Sequence, residues 1–170
     1  MLFRSIKKAL ESEVPLAIGY VDLDNFKAYN DIYGFSAGDE VIKNLARILQ
    51  TTIFEKTTNA FLGHIGGDDF VFIVPLSMAE EISKEVIQKF NALLPAFLSE
   101  EDLKRGYFIA KDRQGVLREI PLLSVSIALV PITKGKFKHP GEVAARAAQV
   151  KSVVKNKKMS GSNYFIDRRA

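Results

Sequence analysis

Two adjacent carboxylates, Asp68 and Asp69, stand between a pair of glycines and the apolar run 70–75. The run is short and rich in β-branched and aromatic residues, which predicts a buried strand. Gly66 and Gly67 separate it from a second short apolar segment, and such a pair indicates a tight hairpin turn. Adjacent carboxylates repel each other, and a divalent cation relieves that repulsion. The hairpin tip is therefore a candidate metal site, although a polar turn with solvated acids would explain this motif taken alone.

A second acidic group follows another predicted strand. Residues 17–21 are apolar and lead directly into Asp22, Leu23 and Asp24. If the two strands are neighbours in one sheet, Asp22 and Asp68 meet at one point. Paired carboxylates are the ligands with which proteins hold Mg²⁺ beside nucleotide phosphates. The two acidic groups together favour a metal site over solvated acids.

The hydrophobic periodicity of the rest of the chain predicts helices around a sheet. The predicted elements are a helix over 2–10, a helix opening at Asp39, a helix from an N-cap at Ser77 to Pro95, a short helix over 99–106, strands over 107–110 and 117–130, a helix from Pro140 to about Lys158, and an edge strand over 163–166. This order predicts an α+β palm, in which a largely antiparallel sheet is covered by helices. The architecture alone does not determine a function, since related palms occur in nucleotidyl cyclases and polymerases.

Composition sets the broad class of the protein. The chain has 170 residues, 47% of them hydrophobic, and no Pro/Gly/Ser-rich linker, which predicts one domain over 1–170 with a linker helix over 1–13. It has no cysteine, no signal peptide and no long apolar run, which suits a cytoplasmic protein without direct membrane insertion. The net charge of +4 favours anionic ligands. Nucleic acid is not expected, because the basic residues are not interleaved with stacking aromatics.

Three segments together carry a resemblance to a known family. Residues 22–49 follow the spaced pattern D-x-D-x-F-K-x-x-N-D-x-x-G-x-x-x-G-D at nearly every marked position. They are followed by GGDDF at 66–70 and by SVSIALV at 124–130. The chain therefore resembles the GGDEF domain of diguanylate cyclases, which condense two GTP molecules into cyclic di-GMP. The resemblance spans nearly the whole chain and implies a nucleotidyl-cyclase or palm-like fold.

The resemblance implies a site for Mg²⁺ or Mn²⁺. Asp22 and Asp68 would bind the metal together with the backbone carbonyl of Leu23. Asp24 is then expected to be a structural or capping carboxylate, because the metal ligand of the family matches Asp22 instead.

The same resemblance implies a triphosphate site. Backbone N–H groups of Asn25, Phe26 and Lys27 would cradle the β- and γ-phosphates, as amides in a tight loop do. The Phe26 side chain itself is expected in the core. Lys151 and Lys155 are four residues apart on the predicted last helix, so they share one face and would clamp the phosphates. A solvated basic face is the alternative interpretation of these two lysines.

Asn30 and Asp39 match the positions that contact guanine in the family. A carboxylate accepts hydrogen bonds from both N1–H and the 2-amino group of guanine, and adenine has no such paired donors. The resemblance thus implies GTP rather than ATP. Taken without it, Asn30 would cap a turn and Asp39 would cap the next helix.

The implied reaction is attack of the 3′-hydroxyl of one GTP on the α-phosphorus of the other, with Asp68 or Asp69 assisting deprotonation. One domain holds one GTP, so two must face each other as a homodimer. In the family a linked sensory or effector domain usually imposes this arrangement. The alternative interpretation of the chain is a catalytically weak GTP-binding domain that regulates a linked effector.

The chain departs from the family pattern at several positions. Asp69 stands where the family has Glu, which shortens the side chain by one methylene. Phe35 replaces a common His, His64 replaces an Arg before the signature, and Lys155 replaces an Arg. The inhibitory R-x-x-D motif would fall at residues 57–60 and is absent from the sequence, so no inhibitory site is expected.

Overall fold

A five-stranded sheet forms the centre of the computed structural model, which describes residues 1–156 and 161–169. The strands are β1 (Leu16–Asp24), β2 (Phe61–Gly66), β3 (Asp69–Pro75), β4 (Tyr107–Lys111), β5 (Leu117–Pro121), β6 (Ser124–Ile132) and β7 (Asn163–Ile166). The helices are α1 (Leu2–Leu10), α2 (Phe26–Tyr33), α3 (Phe35–Lys56), α4 (Leu76–Phe97), α5 (Glu100–Arg105) and α6 (Pro140–Asn156).

The central sheet has the strand order β2-β3-β1-β6-β7, and β4 and β5 pair separately as a two-stranded sheet. Every pair in the central sheet is antiparallel except β6 with β7. This confirms the predicted α+β class with a largely antiparallel, palm-like sheet. No helix among residues 1–156 is both long and apolar enough to span a bilayer.

Alternate residues of the strands bury two separate cores, one on each face of the sheet. Val21 of β1 and Phe72 of β3 belong to the face covered by α2, α3 and α4. Ile18 and Val71 belong to the opposite face, which is covered by α1 and α6. Helix α1, predicted as a linker, lies against this second face and buries its residue Ile6 there.

Strand β1 is central and pairs with β3 over residues 16–21 and with β6 over residues 16–24. Its Gly19 lies against the ring of Phe72, and a Cβ at that position would stand 2.2 Å from the ring. Because no side chain fits there, the glycine allows the ring of Phe72 to lie directly over the backbone of β1.

The predicted strand over 17–21 is longer in the structure, and it includes the first acidic residues. Residues 22–24 continue β1, because they pair with Ser124, Val125 and Ser126 of β6. Helix α2 then begins at Phe26, so only Asn25 lies between strand and helix. Pairing with a strand one hundred residues further along the chain is a tertiary effect that the local sequence does not reveal.

Two predicted helix starts are wrong. Helix α3 begins at Phe35 rather than Asp39, because Gly34, at φ +90°, ends α2 and begins α3 at once. Helix α4 begins at Leu76, whose N–H donates to the carbonyl of Pro15 at 2.9 Å. Ser77 is therefore inside the helix rather than its N-cap.

The predicted strand 117–130 is also wrong, since it divides between two sheets. Strand β5 ends at Pro121, which has no N–H to continue a ladder, and β6 begins at Ser124 in the central sheet. The predicted edge strand 163–166 is present as β7. The predicted end of the last helix near Lys158 lies outside the described residues.

Candidate metal and nucleotide site

The antiparallel pairing of β1 with β3 brings the two acidic groups together. Val21 pairs with Phe70, so the C-terminal end of β1 meets the N-terminal end of β3. One carboxylate oxygen each from Asp22, Asp68 and Asp69 lie within 4.8 Å of one another. Hard oxygen ligands at this spacing fit Mg²⁺ or Mn²⁺. The residues therefore have the chemistry that the predicted metal requires.

Helix α6 supplies cations to this acidic cluster. Lys151 Nζ lies 2.6 Å from Asp69 Oδ1 and 3.3 Å from Asp22 Oδ2, and Lys155 Nζ also contacts Asp22 Oδ2. These contacts to Asp22 Oδ2 are ion pairs without regular hydrogen-bond geometry. Because Asp22 is 5% exposed, its negative charge is balanced mainly by the two lysines.

The carboxylates differ in their affinity for protons. Burial raises the pKa of Asp68 to about 6, and the neighbouring carboxylate of Asp22 adds to this effect. Burial also acts to raise the pKa of Asp22, but the contacts with Lys155, Asp68 and Lys151 outweigh it and lower the pKa below the ordinary value. One carboxylate of the pair thus stays ionised while its neighbour holds a proton more readily.

Leu23 and Asp24 complete the end of β1. Leu23 lines the cleft and buries its side chain in the core beneath α3. Asp24 Oδ2 accepts hydrogen bonds from the hydroxyls of Ser124 at 2.9 Å and Ser126 at 2.6 Å. These bonds hold β1 against β6, so Asp24 has a structural partner of its own.

The N-terminus of α2 lies beside the acidic cluster. Asn25 is left-handed, at φ 60°, and no side chain caps the first turn of the helix. Uncapped N–H groups at a helix start attract anions, especially phosphates. Asn25, Phe26 and Lys27 all line the same cleft, and the Phe26 side chain is partly buried against the core, as expected.

The cleft has a volume of about 640 Å³ and contains most of the predicted site residues. Asn30 lines it, and its Oδ1 is buried without a hydrogen-bond partner among the described residues. Gly38 makes room for this amide, because a Cβ there would stand 1.9 Å from Asn30 Oδ1. Asp39 is exposed on α3 and is not among the residues that line the cleft.

Three residues with contacts at the site were not predicted to act there. Asp31 and Phe35 line the cleft, and Phe35 is 76% exposed. His64 contacts the carbonyl of Gly67 in the hairpin turn. Phe35 and His64 stand out in the sequence only as departures from the family pattern, and their positions depend on a turn and a strand pairing.

Comparisons with known proteins identify the family of the chain. The family model described as "Diguanylate cyclase, GGDEF domain" matches residues 1–107, which is more than half of the chain. The chain belongs to the GGDEF domain family. This confirms the resemblance found in the sequence, and the signature of the present GGDEF domain reads GGDDF at residues 66–70.

Curated relatives resemble the GGDEF domain over part of their length. A diguanylate cyclase of Vibrio cholerae is 33% identical over 79 residues, which are 45% of this chain and 24% of that protein. The diguanylate cyclase DgcS of Shewanella oneidensis is 38% identical over 73 residues, 43% of this chain and 24% of that protein. The matched region thus spans about a quarter of each relative.

Solved structures show the same fold. The active GGEEF domain of a diguanylate cyclase from Vibrio cholerae superposes with a TM-score of 0.65 at 20% identity, over 99% of this chain and 93% of that one. At this identity the likeness concerns the fold alone.

Proposed function

We propose that the domain is a diguanylate cyclase that condenses two GTP molecules into cyclic di-GMP with Mg²⁺ or Mn²⁺. The observation that carries this proposal is the convergence of Asp22, Asp68 and Asp69 beside the uncapped start of α2. An acidic cluster next to a helix N-terminus can hold a cation and the phosphates that the cation bridges. Membership of the family and the diguanylate cyclase names of its relatives support the same reaction.

The residues have distinct roles in the proposed reaction. Asp22, Asp68 and the carbonyl of Leu23 hold the cation, which offsets the charge of the phosphates when it is bound. The N–H groups of Asn25, Phe26 and Lys27 bind the β- and γ-phosphates. The 3′-oxygen of one GTP bonds to the α-phosphorus of the other, pyrophosphate leaves, and Asp68 or Asp69 accepts the hydroxyl proton. The second 3′-oxygen reacts in the same way at the other half-site, so ring closure releases a second pyrophosphate.

Lys151 and Lys155 exchange partners in this scheme. In the structure their ammonium groups contact the carboxylates of Asp22 and Asp69. Because they are four apart on α6 and border the cleft, both can turn to the triphosphate when a cation neutralises the acids.

Asn30 and Asp39 are proposed to select guanine. The Oδ1 of Asn30, which has no hydrogen-bond partner among residues 1–156 and 161–169, supports this role, because a buried acceptor without a donor is costly and a base amino group would satisfy it. Asp39 is exposed, so its part in the pocket requires the base to reach toward α3.

The proposal extends to the surroundings of the domain. Each domain supplies one half-site, so catalysis requires a homodimer. We propose further that residues 1–170 form a single domain, that it acts in the cytoplasm, and that a linked sensory or effector domain controls it.

A second candidate function is a GTP-binding regulatory domain with little catalysis. It is favoured by Asp69, whose carboxylate is about 1.5 Å shorter in reach than that of Glu and is already paired with Lys151. Such a domain would need the same metal and guanine sites but would not need productive alignment of two nucleotides.

The deciding experiment begins with calorimetry of the Mg²⁺-loaded protein. GTP should bind at least about tenfold more tightly than ATP, a difference of about 1.4 kcal/mol. Asp22→Asn should abolish the Mg²⁺-dependent part of binding and keep the circular dichroism spectrum. Equal affinities for GTP and ATP would contradict the guanine pocket, and unchanged Mg²⁺ dependence would contradict the metal site.

Chromatography of the products then separates the two candidates. A dimer enforced by an N-terminal coiled-coil fusion is incubated with GTP and Mg²⁺. Cyclic di-GMP would establish the cyclase, whereas intact GTP in a protein that binds it tightly would establish the regulatory domain.

A further inference from the structure

The hairpin tip that carries Asp68 contains an imidazole in two well-defined contacts. His64 Nε2 lies 2.7 Å from the carbonyl oxygen of Gly67, across the turn. The imidazole ring also stacks on Phe70, with centroids 4.5 Å apart and planes 15° from parallel. His64 and Phe70 are direct cross-strand partners, so the stacking follows from the register of β2 and β3.

The turn between these strands has little rigidity of its own. Gly66 and Gly67 both have positive φ, at 150° and 55°, and the ladder shifts register between His64 and Gly66. Two consecutive glycines permit many backbone conformations, so contacts from outside the turn must select one. Asp68 is the next residue, and its carboxylate follows any movement of Gly67.

His64 is suited to select that conformation. Phe70 is 3% exposed and belongs to the core beneath α3, so the surface on which the imidazole rests is fixed. The carbonyl of Gly67 can only accept, so Nε2 carries the proton and donates it. The His64 side chain thus connects the fixed ring of Phe70 to the backbone of the two-glycine turn.

We propose that His64 is a positioning residue that fixes the Gly66-Gly67 turn and thereby places the carboxylates of Asp68 and Asp69 for metal binding. The inference rests on the proposed metal-dependent function. His64 is itself exposed, so its side chain is not part of the buried core. The contacts of the imidazole are with Gly67 and Phe70, so it acts on Asp68 and Asp69 through the turn.

Three substitutions separate the two contacts. His64→Gln keeps a donor near the position of Nε2 and removes the ring, His64→Phe keeps the stacked ring and removes the donor, and His64→Ala removes both. His139→Ala is the matched control, because His139 is the other histidine of the chain and is exposed.

Two readouts report on the turn and on the site. Amide hydrogen exchange at residues 66–69 of the protein alone should accelerate about threefold in the Gln and Phe variants and about tenfold in the Ala variant. The affinity for Mn²⁺ in the presence of GTP, measured by calorimetry, should fall in the same order and by similar factors. The thermal midpoint should change by less than about 2 °C, which separates positioning from general stability.

The outcomes distinguish this inference from the function on which it rests. If the wild type binds Mn²⁺ with GTP and the His64 variants bind it equally well, His64 does not position the carboxylates. If exchange at 66–69 is unchanged in His64→Ala, the proposed restraint on the turn is wrong. If the wild type itself shows no Mn²⁺-dependent binding, the failure lies with the metal site, and hydrogen exchange still tests the restraint.

Discussion

Asp68 gives the folded protein a specific dependence on pH. Its pKa is about 6 in the fold and ordinarily 3.8, so the folded state binds this proton more tightly than the unfolded chain. The free energy of unfolding therefore decreases as pH rises from about 4 through about 6. A fully buried group with this pKa would lose about 3 kcal/mol, and partial exposure reduces the expected loss to about 1 kcal/mol.

Asp68→Asn removes this titration. At pH 7 the free energy of unfolding of the variant should be about 1 kcal/mol higher than that of the wild type, so the variant is more stable. At pH 4 the two free energies should be equal. Urea denaturation at intervals between these values measures the difference, with Asp39→Asn as the control for loss of a negative charge. A constant difference across the range would contradict the assignment of the raised pKa to Asp68.

Asp69 is the residue at which the signature departs from the family. Its Oδ1 lies 2.6 Å from Lys151 Nζ, on the face of the sheet that carries α6. Asp69→Glu should extend the carboxylate toward the reacting groups. It should raise kcat about tenfold or more with little change in KM, because a misplaced carboxylate destabilises the transition state more than the bound substrate.

Steady-state kinetics of the enforced dimer provide the test of Asp69→Glu. The matched control is Glu40→Asp, which changes a carboxylate side chain by the same methylene on the exposed surface of α3. Loss of activity in the Glu variant would mean that the loop has adapted to aspartate, and the shorter side chain would then not be a handicap.

At the scale of elements, α6 connects the acidic cluster to the proposed phosphate site. A lysine cannot contact a carboxylate of the cluster and a phosphate at full strength at the same time. Lys151→Ala should therefore raise the affinity of the nucleotide-free protein for Mn²⁺ about tenfold, because a cation no longer displaces an ammonium group. The same change should weaken GTP binding in the presence of Mg²⁺ by about tenfold.

A rise in Mn²⁺ affinity together with a fall in GTP affinity distinguishes this exchange of partners from simple damage to the site. Calorimetric titrations with Mn²⁺ alone and with GTP plus Mg²⁺ supply both affinities. Lys43→Ala, which removes an exposed ion-paired lysine on α3, is the control and should change neither. A decrease of both affinities in Lys151→Ala would show that Lys151 supports the cluster rather than competing for it.

The sequence predicts those elements whose signals are local. The acid-bearing hairpin follows from Gly66-Gly67 and the apolar run after it, and its neighbour β1 follows from another apolar run. The structure brings Asp22 and Asp68 together because β1 and β3 pair, which the sequence indicates only if the strands are neighbours. The sequence therefore identifies the carboxylates that can meet, and the strand pairing that brings them together comes from the structure.

Features that depend on distant contacts are not predictable in this way. The extension of β1 to Asp24 needs β6, and the contacts of Lys151 with Asp22 and Asp69 need the packing of α6 on the sheet. The role of His64 depends on a register shift at one turn. In each case tertiary structure decides between local alternatives that the sequence leaves equal.

At the scale of the whole molecule, the proposed reaction requires two domains. Its rate per chain should rise in proportion to protein concentration well below the dimer dissociation constant, since each catalytic unit contains two chains. A coiled-coil fusion before α1 should raise the rate per chain about 100-fold at micromolar protein, because tethering gives a millimolar effective concentration.

Initial velocities over a hundredfold range of protein concentration test this expectation. A fusion to a monomeric helix of equal length is the control for the added segment. A rate per chain that is independent of concentration over a range in which light scattering shows a monomer would contradict assembly of the site from two domains.

The sheet is not equally tolerant of insertions along its length. Strand β1 pairs with both neighbours over residues 16–21, whereas the β2-β3 ladder already contains an irregularity near Gly66. One residue added within β1 would turn every later side chain to the opposite face, placing Leu23 toward α6 and Asp22 in the core beneath α3. One residue added between Gly66 and Gly67 would lengthen a turn and leave both strand faces as they are. Lineages of this domain should therefore vary in length at the hairpin tip and keep the length of β1 constant.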